Sequence, residues 1–127
     1  MKSKLQSPII EIKKSFEIES ARFLPHLPSS HPCAHTHGHS FKITLRLHGS
    51  IDSKLGWLVD YNDISKAAAP VLKKIDHKLL NDVKGLKNPT TENLCLWLYE
   101  KPKEPLPQLV QIIIKETSDT ECSYPVI

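Results

Sequence analysis

Alternating apolar and polar residues predict most of the strands in this chain. The alternation is clearest at residues 37–49, where apolar side chains recur at every second position. Residues 9–23 carry a similar pattern and predict a strand, with or without a bulge, while residues 109–115 predict a final strand. Residues 57–60 predict a short strand ending, and the three prolines of residues 24–32 require a loop.

Two further segments have the apolar spacing of helices. The first opens near residues 60–63, and its apolar stripe consists of Ile64, Ala67, Ala68, Val71, Leu72 and Ile75. Pro70 lies inside that segment and should kink the helix or start a new turn. The second helix begins after Pro89 and ends at Pro102, with Thr90 or Thr91 as its cap. The order β-β-(β)-α-α-β predicts an α+β fold with helices on one face of an antiparallel sheet.

Composition and charge limit the functional classes. The 127 residues predict one domain, residues 1–127, in which residues 1–8 form a loose terminus. The net charge of +3 suits an anionic small molecule and argues against a nucleic-acid partner. No apolar run approaches the length of a membrane span, so we expect no membrane partner. Three cysteines are an odd and sparse set, which favours a reduced, cytoplasmic setting.

Histidines are concentrated in one stretch, where five of the seven lie within residues 26–39. His37 and His39 are two residues apart on a predicted strand, so their side chains share one face. A pair of surface histidines is the simplest interpretation, but the histidine density and the nearby Cys33 favour a metal site. Zinc suits imidazole ligands, and a catalytic zinc site uses three protein ligands and an open position.

Other candidate residues each have a structural and a chemical interpretation. Cys33 is either a small buried residue or a thiol activated by a nearby metal or imidazolium. Asp76 beside His77 is either a surface feature or a carboxylate that orients an imidazole for acid–base catalysis. Glu116 is either solvated or able to accept paired hydrogen bonds from a guanidine-like ring edge. Glu92 also has a structural and a chemical interpretation. It either stabilises the start of the second helix, which is the stronger interpretation, or accepts hydrogen bonds from such a ring edge.

Seven short motifs, taken in order, carry a family resemblance over about residues 15–124. They are LPHLP at 24–28, HPC at 31–33 with HGHSF at 37–41, GWLVDY at 56–61, DHKLLND at 76–82, NPTTEN at 88–93 and KET at 115–117. Together they resemble the 6-pyruvoyltetrahydropterin synthase / 6-carboxytetrahydropterin synthase family. The residues around Cys33 and the GWLVD segment are most similar to its queuosine-pathway branch.

The resemblance implies a tunnelling fold, with a four-stranded antiparallel sheet and two helices on one face. It implies a homo-oligomer, in which trimers stack into a hexamer and active sites lie between subunits. It also implies a lyase whose substrate is 7,8-dihydroneopterin triphosphate. The branch reaction forms 6-carboxy-5,6,7,8-tetrahydropterin, acetaldehyde and triphosphate. Two alternatives stay open: a 6-pyruvoyltetrahydropterin synthase, or a non-catalytic pterin-binding paralogue.

The resemblance also assigns roles to residues of this chain. His37 and His39 would hold zinc, which polarises substrate hydroxyls as a Lewis acid. Cys33 would move the proton at the side-chain carbon, His77 would relay it, and Asp76 would orient that imidazole. Glu116 would grip the aminopyrimidine edge of the pterin. The same pocket would be lined by Thr90, Thr91 and Glu92.

Arg22 stands where the family normally has its first zinc histidine. Arginine stays protonated and offers no lone pair, so it cannot be a ligand. Arg22 is separated from Ile18 and Ser20 by an even number of positions, so the three side chains share one face of the predicted strand. The side chain of Arg22 should therefore point towards the position of the missing ligand. Three outcomes are open: a loop histidine (His26, His31 or His35) completes the site, the metal is held weakly, or Arg22 replaces its charge. We expect a bound metal with altered ligation, near one per chain.

Overall fold

In residues 8–127, which the computed structural model describes, the chain forms one four-stranded sheet and two α-helices. The elements are β1 (Ile9–Arg22), β2 (His37–Ser50), α1 (Tyr61–Lys73), α2 (Thr91–Tyr99), β3 (Leu109–Thr117) and β4 (Thr120–Tyr124). The strand order is β1-β2-β3-β4, and every neighbouring pair is antiparallel. The predicted α+β class is confirmed. The predicted loose terminus lies outside the described residues, except for Pro8.

One face of the sheet and the apolar sides of both helices form the core. Alternate residues of β2 from Phe41 to Leu47 point inward and are almost completely buried, as are Ile18 of β1 and Ile112 and Ile114 of β3. The principal core side chains are Ile18, Phe41, Ile43, Leu45, Leu47, Ile112 and Ile114 from the sheet, and Ile64, Ala68, Val71, Leu94 and Leu98 from the helices. Burying each large apolar side chain stabilises the fold by roughly 1.5–3 kcal/mol. This apolar layer therefore determines which face of each strand points inward, and so which face carries the site.

One predicted strand was wrong, and one strand was not predicted. Residues 57–60 form bends instead of a strand, with Trp57 45% exposed and Asp60 serving as the cap of α1. The fourth strand is instead β4, an edge strand with no fully buried residue. Its Thr-Glu-Cys-Ser-Tyr sequence lacks the apolar alternation that identifies a half-buried strand. Helix α1 continues through Pro70 as one element, with that residue exposed.

The chain leaving α1 lies against the outer edge of β1. The amide of Ala21 donates to the carbonyl of Lys78 at 2.9 Å, and the amide of His77 donates to the carbonyl of Glu19 at 2.6 Å. The Asp76 carboxylate accepts from the Glu19 amide at 3.0 Å. These bonds fix Asp76 and His77 beside the last residues of β1. In the described residues, neither helix is long and apolar enough to cross a membrane.

Asn81 fastens the next turn to the end of β1. Its side-chain oxygen accepts from the Phe23 amide at 3.0 Å, and its side-chain nitrogen donates to the Phe23 carbonyl at 2.8 Å. Replacing Asn81 by Ala leaves both Phe23 groups without these partners, so we expect a loss of about 2 kcal/mol in unfolding free energy. Urea unfolding measures the loss. The exposed neighbour Asp82, replaced by Ala, is the matched control and should change stability by less than about 0.5 kcal/mol.

Candidate active site

Arg22 lies at the end of β1, opposite His37 in the register with β2. Its residue exposure is 4%, and its side chain points to the helix-covered side of the sheet, as its strand parity predicts. The guanidinium donates to Glu116 Oε1 at 2.6 Å, to the Pro89 carbonyl at 3.1 Å and to Thr91 Oγ1 at 3.2 Å. A buried positive charge therefore joins the end of β1 to the start of α2 and the end of β3.

Glu116 receives hydrogen bonds on both carboxylate oxygens. Arg22 donates to Oε1, and the hydroxyl of Thr91 donates to Oε2. Burial raises the pKa of Glu116, but the hydrogen bonds from Thr91 and Arg22 outweigh it and hold that pKa below its usual value. A carboxylate offers about four acceptor positions, and this side chain is still 23% exposed. Glu116 is therefore ionised near neutral pH and can accept further N–H donors.

The lowered pKa of Glu116 makes a prediction about acid stability. A carboxyl whose pKa is lower in the folded state stabilises the fold above its ordinary pKa of 4.5, and that contribution is lost as the pH falls through the folded value. Unfolding free energies of the wild type and Glu116→Gln, measured by urea from pH 7 to 3, should therefore converge only in this acid range. Other carboxyls titrate in both proteins and cancel. Parallel curves would contradict the prediction.

His37 and His39 lie on one face of β2, as predicted. Their ring centroids are 4.5 Å apart, and the rings are nearly perpendicular. Nδ1 of His37 is 2.6 Å from the carbonyl oxygen of His35, and that oxygen can only accept, so Nδ1 carries the proton. In the neutral ring, Nε2 then presents a lone pair. Burial, followed by the charge of Arg22, lowers the pKa of His39 and favours its neutral form.

The donor set for a metal consists of two imidazoles and no third ligand. Within residues 8–127, no group of three histidine, cysteine, aspartate or glutamate side chains is placed to hold a metal ion. Two of the three loop histidines bond elsewhere: His31 Nδ1 accepts from the Cys33 amide at 3.0 Å, and His35 Nε2 is 2.8 Å from the Ser29 carbonyl. The residues present do not fit a zinc site with three protein ligands, and completion by a loop histidine, one of the three open outcomes, is not found among residues 8–127.

Cys33 lies in a short 3-10 turn, Pro32–Ala34, just before β2. Its backbone is held on both sides, because its amide donates to His31 and its carbonyl accepts from the Leu24 amide at 2.7 Å. The thiol is free and half-buried. Its predicted catalytic role stays a prediction.

Asp76 and His77 form the predicted carboxylate–imidazole pair, with Oδ1 2.9 Å from Nδ1. His77 is 77% exposed on its side chain and has a φ of 57°, an uncommon conformation for a residue with a Cβ. A cleft of about 500 Å³ is lined by both His77 and His39. The structure therefore brings the imidazole of the predicted acid–base pair and one predicted metal residue to the same cleft.

The three residues at the start of α2 that were predicted to line the pocket make different contacts. Thr90 caps the helix by accepting from the Asn93 amide at 3.1 Å, whereas Thr91 contacts Arg22 and Glu116. Glu92 is exposed and lines a cavity of about 170 Å³ that also borders Glu116. The sequence reasoning missed the Pro89 carbonyl, because a backbone acceptor leaves no trace in side-chain chemistry.

Comparison with known proteins identifies the family. The sequence profile described as 6-pyruvoyl tetrahydropterin synthase matches residues 11–125. A 6-carboxy-5,6,7,8-tetrahydropterin synthase from a Synechocystis species is 31% identical over 119 residues, which cover 89% of this chain and 91% of that protein. A dihydroneopterin monophosphate aldolase from Pyrococcus furiosus is 37% identical over 76 residues, which cover 60% of this chain and only 63% of the aldolase.

The fold agrees with these matches. The structure of Caenorhabditis elegans 6-pyruvoyl tetrahydropterin synthase superposes with a TM-score of 0.86 at 26% identity, covering 94% of this chain and 97% of that one. The predicted tunnelling fold, with its four-stranded sheet and two helices, is thereby confirmed. The profile match extends over nearly the whole length, and it includes Arg22, His37, His39 and Glu116. The chain therefore belongs to the 6-pyruvoyl tetrahydropterin synthase family.

Proposed function

We propose that the protein is a lyase that converts 7,8-dihydroneopterin triphosphate and water into 6-carboxy-5,6,7,8-tetrahydropterin, acetaldehyde and triphosphate, a step of queuosine biosynthesis. The observation that carries the proposal is the ionised Glu116, held by Arg22 and Thr91 next to His39. The relative from Synechocystis bears the name of this activity and aligns over most of both chains.

Recognition of the pterin follows from the chemistry of Glu116. The aminopyrimidine edge of a pterin presents neighbouring N–H donors, and a carboxylate can accept two of them side by side. Arg22 and Thr91 fix the orientation of that carboxylate without using all of its acceptor positions. Thr90 and Glu92 flank Thr91 at the start of α2 and complete the proposed pocket wall. A net charge of +3 helps to attract the triphosphate.

Proton transfer is assigned to Cys33, His77 and Asp76. The thiol takes or returns the proton at the substrate's side-chain carbon, and the imidazole of His77 relays it. The Asp76 carboxylate lies 2.9 Å from Nδ1 of His77, close enough to stabilise the protonated imidazole. The cleft that His77 shares with His39 supports the role of His77. Because the donor set lacks a third ligand, no step is assigned to a metal ion.

We also propose that the active form is a homo-oligomer, a trimer or a hexamer. Among the described residues, β1 pairs with β2 along one edge, and its other edge is hydrogen-bonded only at residues 19–23, by the segment 76–81. A 14-residue edge with so little cover is a template for pairing with another chain. A second copy would also supply the remaining wall of the shallow cleft.

Product analysis tests the proposed reaction. The purified protein is incubated with dihydroneopterin triphosphate, the pterins are separated by chromatography with mass detection, and acetaldehyde is measured with alcohol dehydrogenase. We expect acetaldehyde and 6-carboxytetrahydropterin in equal amounts. A pyruvoyl product without acetaldehyde would identify the alternative synthase, and pterin binding without any product would identify a non-catalytic paralogue. Dihydroneopterin monophosphate is tested in parallel, because one relative bears the name of an aldolase for that compound.

A further inference from the structure

Three buried side-chain nitrogens near the candidate active site have no hydrogen-bond partner. They are Nε of Arg22 and Nε2 of His37 and of His39, and they are all the buried side-chain atoms of this kind in the described part of the chain. Nearly all buried polar atoms in folded proteins are paired, so three unpaired ones on adjoining residues indicate a place for a ligand.

The positions of the three residues put these atoms on one surface. Arg22 is opposite His37 in the β1–β2 register, and His39 follows on the same face of β2. Arg22 Nη2 and His39 Nε2 both approach Glu116 Oε1, at 2.6 Å and 3.8 Å. The Arg22 guanidinium also lies 5.3 Å from the ring centroid of Phe41, which closes the apolar side of the group.

The hydrogen-bonding capacity of the three atoms selects the ligand. Nε of Arg22 is always an N–H donor. Nε2 of His37 is an acceptor in the neutral ring, because Nδ1 donates to the His35 carbonyl. A metal cation needs acceptors only and would sit beside a permanent positive charge. A hydroxyl group accepts a hydrogen bond from one atom and donates one to another, so it matches a site that contains both a donor and an acceptor.

We propose that Arg22, His37 and His39 form a metal-independent site for a side-chain hydroxyl of the substrate, in which the Arg22 guanidinium stands in place of a metal ion. Arg22 Nε–H donates to the hydroxyl oxygen, and the hydroxyl donates to an imidazole nitrogen. The guanidinium favours negative charge on that oxygen. The ligand class, a pterin with a hydroxylated side chain, rests on the proposed function.

The first arm of the test measures zinc binding alone and is independent of turnover. The metal-stripped wild type, Arg22→His and Arg22→Met are titrated with Zn²⁺ by calorimetry. Arg22→His supplies a third imidazole, so we expect it to bind one zinc per chain at least about 100-fold more tightly than the wild type. Arg22→Met should show no such gain. Tight stoichiometric zinc in the wild type, or an equal gain in Arg22→Met, would overturn the proposal.

The second arm measures recognition of the hydroxyl group, with a chelator present throughout. Neopterin, which has a trihydroxypropyl side chain, is compared with 6-methylpterin, which has no side-chain hydroxyl. We expect the wild type to prefer neopterin by at least about tenfold, or 1.4 kcal/mol, and Arg22→Met to lose that preference. Glu116→Gln should weaken both pterins equally. If the wild type binds both pterins equally, the inference fails; if it binds neither, the proposed function fails.

Discussion

Replacing Cys33 by Ala is expected to lower kcat with dihydroneopterin triphosphate roughly a thousandfold, within the range that general acid–base catalysis contributes. The thiol is the only proposed group that exchanges a proton directly with the substrate carbon. The backbone of the 3-10 turn is held by His31 and Leu24, so the substitution removes the sulfur without releasing the loop. Pterin affinity, measured by fluorescence titration, should stay within about twofold because the ring is bound at Glu116.

The matched control for this prediction is Cys122→Ala. Cys122 is also a free, half-buried cysteine, but it lies on β4 and contacts Cys95 through its carbonyl. We expect its replacement to leave kcat nearly unchanged. Wild-type turnover in Cys33→Ala would remove Cys33 from the mechanism. Equal losses of turnover and pterin affinity would assign it to binding instead.

Among the single substitutions proposed, removing the carboxylate of Glu116 is expected to produce the largest loss of unfolding free energy. Arg22 would keep its charge in a buried position without its anionic partner, and breaking such a pair costs about 3–5 kcal/mol. Because the Glu116 side chain is 23% exposed, we expect Glu116→Ala to lose about 3 kcal/mol of unfolding free energy, at the lower end of that range. Urea unfolding at neutral pH measures this loss, and pterin binding should disappear in the same variant.

A double variant separates the lost ion pair from the lost packing. Arg22→Met combined with Glu116→Gln removes both charges, so it should recover most of the stability lost in Glu116→Ala. Glu92→Ala serves as the control, since Glu92 is exposed and its replacement should change stability by less than about 0.5 kcal/mol. A double variant no more stable than Glu116→Ala would show that the ion pair is not the cause.

Local patterns were sufficient for most of the fold. The period-two alternation located β1, β2 and β3, and the apolar spacing located both helices, because one face of each element is buried in a common core. The same reasoning failed at residues 57–60 and at β4. The first segment has apolar residues that stay exposed or half-buried in a loop, and the second is an edge strand stabilised mainly by backbone pairing with β3.

The sequence predicted the site only where it depends on which face of a strand a side chain occupies. Parity placed Arg22 on the inward face, as it placed His37 beside His39. It could not show that Arg22 reaches Glu116, which is 94 positions further along the chain. Nor could it show that the Pro89 carbonyl accepts from the same guanidinium. Contacts of this kind depend on how the helices pack on the sheet, and no periodicity encodes them.

A crystal structure of the protein with a bound dihydroneopterin analogue tests the central claim most directly. We predict that the aminopyrimidine edge of the pterin lies against Glu116, that a side-chain hydroxyl lies beside Nε of Arg22, and that the sulfur of Cys33 reaches the same side chain. A pterin bound away from Glu116, or a Cys33 sulfur remote from every bound ligand, would contradict the account.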